Sequence, residues 1–317
     1  VTDSNDSNEN NFDSKLKQTL EITQDEINTA LEQARNIQIP KSQWEEAKKV
    51  VEEFQPVPWF IWRLANFVFG KPGRPNKAGE GMVLGLKKVL LAAASDKVLG
   101  KGQPITRTRD AIKAVRSDVV AATSVIHSIS RKLATKPFAR VWEPILEDAI
   151  TRAHIGYFVG QMNLDFGPGR GMLAGFAGRI GIAILIATGT EYQADLALQN
   201  LAQGKTLREV GLQTYGTDPL QVSAMVLSAC GCGKEAAIGT VAYANENQST
   251  SIGDQSFDQK QWLAAFAITE HARMGQLSEV KEDHWKVLGF HQDSDKEDLS
   301  ELVKLLVRKG HGWEWIV

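Results

Sequence analysis

Apolar positions along this chain repeat at the three-to-four-residue spacing of helices almost from end to end. The period-two alternation of half-buried strands is nearly absent. Leu16, Leu20, Ile27 and Leu31 mark a first helical piece, and Trp44, Ala47 and Val51 a second. Ile39-Pro40 separates the two, and Ser42 is placed to cap the second. Pro56 and Pro58 punctuate the entry to a denser region, and GKPGRPNKAGEG, 70–81, is a loop by composition. A buried helix is predicted over 82–94, a Gly-Gln-Pro turn at 102–104, a helix over 105–120 opened by Thr106, and another over 121–133. Lys136-Pro137 breaks the run, and a long helix then tolerates Pro144 near its first turn and continues to Leu164. The helical period returns at 172–187, 191–203, 206–214, 219–230, 233–246, 258–275, 279–288 and 296–309. The predicted fold class is all-α.

Composition narrows the setting. With 317 residues and 43% hydrophobic content the chain can bury a large core, and a net charge of −2 gives no global attraction to nucleic acid or anionic lipid. Cys230 and Cys232 are its two cysteines, which excludes a disulfide framework and suits a reducing cytoplasm. The longest apolar run, Ile180 to Ala187, is far shorter than the roughly 20 residues that span a bilayer, so no membrane partner is expected. No charged-then-apolar leader opens the chain, and Val1 in place of Met points to a trimmed or replaced start. Residues 1–14 are rich in Asn, Ser and Asp, too polar to offset chain entropy by burial, and are expected to form a disordered tail.

Four stretches carry a family likeness: VLLAAASDKVLGKGQPITRTRDAIKAV (89–115), AITRAHIGYFVGQM (149–162), GFAGRIGIAIL (175–185) and the helix pair within 207–245. Together they resemble the HDOD family, non-catalytic relatives of the metal-dependent HD phosphohydrolases found in bacterial signalling proteins. The likeness covers about 85–250 and thins towards 310. It implies an HD-like helical bundle over 56–310, with an N-terminal subdomain (56–142) and a degenerate HD-like subdomain (143–310), preceded by a helical arm over 15–54. The chain departs from the family pattern at Glu80-Gly81-Met82, at Ala94-Ser95, at Pro219 and at Ala244-Asn245.

The resemblance implies a vestigial site. Gly178 and Arg179 stand where the superfamily carries its His-Asp doublet; glycine offers no ligand and arginine is a permanent cation. His154 would be the surviving first ligand, on a helical face with Ile150, Tyr157 and Phe158, and Glu270 would take the place of the distant last Asp. Either His154 or Arg179 could be the partner of Glu270. One imidazole and one carboxylate are too few for a catalytic divalent ion, so neither a metal nor a cofactor is expected and the chain reads as a non-enzyme. The bland reading of His154 is a packed histidine hydrogen-bonded to a neighbour.

Other motifs fail on context. The glycine-rich run at 166–175 follows a helix, not a strand, and so does not fit a dinucleotide fold. CGCGKEA, 230–236, has Ser228 in place of the first phosphate-loop glycine and Glu235 in place of the magnesium-binding hydroxyl. Charge is more informative, because twelve Lys and Arg against three Asp lie between Lys87 and Arg140. Arg107, Arg109, Lys113 and Arg116 are the candidate partner surface, the last three on one helical face opposite Ile105, Ile112 and Val115. The expected function is a signal-transduction scaffold binding a partner protein or small regulatory ligand, without nucleic acid. The competing expectation is an HD-type phosphohydrolase acting on a nucleotide.

Overall fold

A computed structural model describes residues 41–70, 87–100, 102–246 and 255–317. The tail at 1–14, the arm as far as residue 40, the Ser42 side chain, the loop at 71–81 and the start of the helix at 82–86 lie outside the described residues.

Fourteen α-helices and no strand occur among the described residues: α1 Lys41–Phe54, α2 Trp59–Phe69, α3 Lys87–Ser95, α4 Thr108–Ala114, α5 Ser117–Leu133, α6 Ala139–Gln161, α7 Pro168–Thr188, α8 Glu191–Ala202, α9 Leu207–Val210, α10 Pro219–Ala229, α11 Lys234–Glu246, α12 Phe257–Met274, α13 Glu282–Val287 and α14 Asp293–Lys309. The all-α fold class holds. Helix α7 is the axis, contacting α1, α5, α6, α10 and α12. Apart from Arg170 and Arg179, both held in ion pairs, its flank is apolar all round, as a helix enclosed on every side requires. Counted whole, its 21 residues are long and apolar enough to cross a membrane, which the run Ile180–Ala187 alone does not reveal, but its apolar window is 89% buried inside the fold.

Glycine sets how near α6 and α7 come. A β-carbon at Gly156 would strike the Gly171 carbonyl oxygen, one at Gly171 the Gly156 carbonyl oxygen, and one at Gly175 the Arg152 carbonyl oxygen. The two backbones therefore touch directly, and larger residues would force them apart. At the entry to α7, Asp118 of α5 accepts a hydrogen bond from the Gly169 N–H at 3.0 Å, serving an amide the helix itself leaves unpaired.

Three sequence expectations change. The helix predicted over 105–120 breaks at Val115 and Arg116, both extended, and α5 runs unbroken from Ser117, merging what was read as two helices. The carboxylate that opens α5, Asp118, is held by both Arg116 and the start of α7, a tertiary anchor that helical spacing does not register. Residues 206–214 form a single turn of α9 followed by π-type turns over Gly211–Tyr215. Pro144 lies inside α6, beyond its first turn.

One hydrophobic cluster extends from Ala47 to Ile316. Helix α1, the described part of the arm, buries Ala47, Val51 and Phe54 and packs against α7 and α10. At the other end, residues beyond 310 fold back, with Trp313 and Ile316 fully buried.

Candidate functional site

Helix α6 contributes Asp148 and Arg152, four residues apart and so one above the other on the same face. Because Gly175 lets α7 lie against this face, Arg179, one turn further along α7, reaches the same point. Helix α12 adds Glu270 and Arg273. The five side chains form a lattice. Arg152 Nη1 lies 2.6 Å from Glu270 Oε1, and its Nε donates to Asp148 Oδ2 at 2.8 Å. Arg179 Nε donates to Asp148 Oδ2 at 2.9 Å, and its Nη1 reaches both Glu270 oxygens at 3.3 Å and the Gly178 carbonyl oxygen at 2.7 Å. Arg273 Nε donates to Asp148 Oδ1 at 2.8 Å.

Gly178 makes room for this arrangement, since a β-carbon there would collide with Glu270 Oε1. Burial pushes the Asp148 carboxyl up, but Arg152, Arg179 and Arg273 together outweigh it and hold the group below its ordinary value. Burial also lowers Arg152, against the opposing pull of Glu270 and Asp148. Three guanidiniums face two carboxylates, which leaves one cation in excess. Arg273, one-third exposed, keeps part of that charge in water.

The geometry brings Gly178, Arg179 and Glu270 together and leaves His154 out. His154 sits two residues after Arg152, about 200° around the helix axis, and faces elsewhere. The α6 side chain that meets the doublet position is Arg152, which corrects the assignment of His154 to that site. Glu270 accordingly pairs with Arg179 and Arg152. His154 stacks on Trp313 at 4.1 Å and 6° between ring planes, and runs nearly parallel to Phe158 at 5.6 Å. Its Nδ1–H donates to the His311 carbonyl oxygen at 2.9 Å, while its buried Nε2 has no hydrogen-bond partner. Burial, only partly offset by that hydrogen bond, brings its pKa down to about 4, so the ring is neutral. His311 Nδ1 accepts from the Trp313 N–H and its Nε2 pairs with Glu147 at 2.7 Å, locking the returning segment to α6.

The lattice does not fit a divalent ion. Gly178 offers no ligand, and Arg152 and Arg179 bring positive charge to Asp148 and Glu270, the carboxylates that would have to hold an ion. Among the described residues no group of three or more His, Cys, Asp or Glu is placed to share one.

Arg107, Arg109, Lys113 and Arg116 are all exposed, but not as one helical face. Arg107 precedes α4, Arg116 follows it, and Arg116 is already paired with Asp118 at 3.0 Å. Opposite them Val115 is buried, whereas Ile105 and Ile112 are only half-buried. The usable basic pair on α4 is Arg109 and Lys113.

No protein-family model matches this chain, and no curated protein sequence does. Solved structures do. A candidate phosphohydrolase from Shewanella amazonensis SB2B aligns at TM-score 0.56 and 16% identity, covering 84% of this chain and 95% of its own. An HDOD-domain protein of unknown function from Geobacter sulfurreducens aligns at 0.52 and 15%, covering 83% and 97%. This chain has an HDOD-like fold. A candidate signal-transduction protein from Marinobacter aquaeolei VT8 aligns at 0.59 and 14%; 91% of this chain is covered, but only 63% of that longer protein.

Sequence reasoning missed Asp148, Arg152, Arg273 and the His311–Trp313 segment. The first two carried a readable signal, an acid and a base at i and i+4, and Arg273 is one turn beyond Glu270. The segment carried none, since its partners on α6 lie more than 150 residues earlier.

Proposed function

We propose that this protein is a non-enzymatic signal-transduction module with a degenerate HD-like site, binding a partner protein or a small regulatory ligand. The observation that carries the reading is the guanidinium lattice. Where a metal-dependent relative needs convergent imidazoles and free carboxylates, this HDOD-like fold sets Arg152 and Arg179 against Asp148 and Glu270. Those cations do the structural work of a metal, neutralising buried carboxylates, and supply no activated water. Arg109 and Lys113 are the basic positions offered to an acidic partner, where charge raises the rate of capture more than the affinity. Two buried free thiols accord with a cytoplasmic setting.

The likeness to a candidate phosphohydrolase favours the second reading, hydrolysis of a nucleotide. One experiment separates the two: metal analysis of the purified protein, with a hydrolysis screen of nucleotides and phosphodiesters in the presence of manganese, iron or zinc. The scaffold reading expects no stoichiometric metal at the lattice and no turnover. Turnover abolished by Glu270→Gln would overturn it.

A further inference from the structure

Helices α3 and α5 and the returning segment line an open cavity of about 370 Å³, a size suited to a small ligand. Helix α3 contributes Lys88, Val89 and Ala92; helix α5 contributes His127 and Arg131; the last turn contributes Trp315. Lys88 and Ala92 are one turn apart, as are His127 and Arg131, so each pair lies along one face of its helix. The packing of α3 on α5 sets the two faces together.

The lining has a distinct chemistry. Val89 and Ala92 are apolar, Trp315 adds a half-buried ring, and Lys88 and Arg131 add cationic nitrogen donors. Among the described residues no acid lines the cavity. Neither Lys88 nor Arg131 has a carboxylate partner among the described residues, in contrast to every arginine of the lattice. Asp96 is the nearby acid, and it is occupied: it accepts from the Val98 and Leu99 amides at 2.8 and 3.0 Å and from the Trp315 indole at 3.4 Å. The indole N–H is thereby engaged. His127 Nδ1–H donates to the Ile316 carbonyl oxygen at 2.9 Å, which fixes the ring and leaves Nε2 as a hydrogen-bond acceptor.

We infer that this cavity binds a small phosphate monoester carrying a flat aromatic ring. The phosphate dianion matches the two cations Lys88 and Arg131 better than a single carboxylate would, with Arg131 able to engage two oxygens at once. The ring finds an aromatic surface in Trp315 and apolar contact in Val89 and Ala92. The inference gives a chemical class to the small regulatory ligand, and rests on the non-enzymatic reading only in treating that ligand as unturned. Since Trp315 and Ile316 follow directly on Trp313 and His311, an occupant would bear on the segment that stacks against His154 of α6.

Calorimetric titration of the full chain with phenyl phosphate and the nucleoside 5′-monophosphates, with inorganic phosphate and the unphosphorylated nucleosides as controls, tests it. A ring-bearing phosphate should saturate one site and bind at least about tenfold more tightly than inorganic phosphate or a nucleoside. Lys88→Gln with Arg131→Gln, both exposed and fold-neutral, should weaken it by about tenfold or more. Trp315→Leu should erase the preference for the ring; if it unfolds the protein, the glutamine pair still decides the matter. No saturation by any ring-bearing phosphate, equal binding of inorganic phosphate, insensitivity to the glutamine pair, or tighter binding of an oligonucleotide would each overturn the site. Phosphate release is followed in the same samples. Saturation without release upholds both readings, whereas saturation with release that survives in the glutamine pair upholds the cavity and overturns the non-enzymatic reading.

Discussion

Helix α6 carries two buried nitrogen-bearing side chains two residues apart, and the fold satisfies them by opposite means. Arg152 keeps its charge and is surrounded by Asp148 and Glu270. His154, on the other side of the helix, gives up its charge and is held by ring stacking and a single carbonyl. Even the sequential neighbours Glu147 and Asp148 divide between the two sides, one to His311 and one to the arginines. A guanidinium cannot be neutralised at any ordinary pH, so burying it requires counter-charges; an imidazole can be buried neutral. The lattice side is therefore rigid in charge, and the aromatic side is sensitive to acid.

The sharpest way to break the lattice is Glu270→Ala, which leaves Arg152 buried with half its counter-charge. Unfolding free energy should fall by about 3 kcal/mol or more in urea titrations. Replacing Arg152 by Met and Glu270 by Leu together should cost less than Glu270→Ala alone, because cation and carboxylate leave together and no buried Arg152 charge is left short of its partner. If the double variant were the weaker, the lattice would hold the fold by more than charge balance.

On the aromatic side the probe is pH. His154 is neutral in the fold down to about 4, whereas the unfolded chain takes up a proton near the ordinary histidine value of 6.5. The unfolded state thus binds more protons between these values, so this contribution is fully present above about 6.5 and is lost as pH falls towards 4, amounting to about 3 kcal/mol. In His154→Phe, which keeps a flat ring against Trp313, that part of the pH dependence should disappear. An unchanged slope would place the acid sensitivity elsewhere.

Gly178→Ala should cost about 1–3 kcal/mol, as its β-carbon displaces the Glu270 carboxylate. The same change in the Glu270→Ala background should cost much less, a coupling that a thermodynamic cycle measures directly. The smallest effect belongs to the exposed basic pair: Arg109→Ala with Lys113→Ala should alter stability by less than about 0.5 kcal/mol. Slower association with an acidic partner and unchanged melting would separate a binding role from a structural one.

Much of the architecture was legible before any coordinates. Helical spacing located the helices from 139 to 309 to within a few residues, apart from the breaks around α9 and α13. That Gly178 and Arg179 cannot ligate a metal was visible in the letters, as was Glu270 on an otherwise apolar face. The break at Val115-Arg116 was not, because its cause is a carboxylate shared with another helix. The choice of Arg152 over His154 was not either. Both lie in one helical run, and each residue turns the helix by about 100°, so a small uncertainty in which face meets α7 exchanges one side chain for the other.

What the sequence determined by itself was local: periodicity, punctuation, and which side chains could never ligate a metal. Those properties reside in single residues or in neighbours three and four apart, and no packing can alter them. Tertiary structure decided the rest. Glycine-to-backbone contact between α6 and α7 fixed the rotation that turns Arg152 towards Arg179. The return of residues 311–316 buried His154 and completed the cavity beside α3 and α5. The first joins two consecutive helices and the second joins surfaces more than a hundred residues apart in the chain; in both, complementary shape and charge, rather than spacing along the sequence, determine which groups become partners.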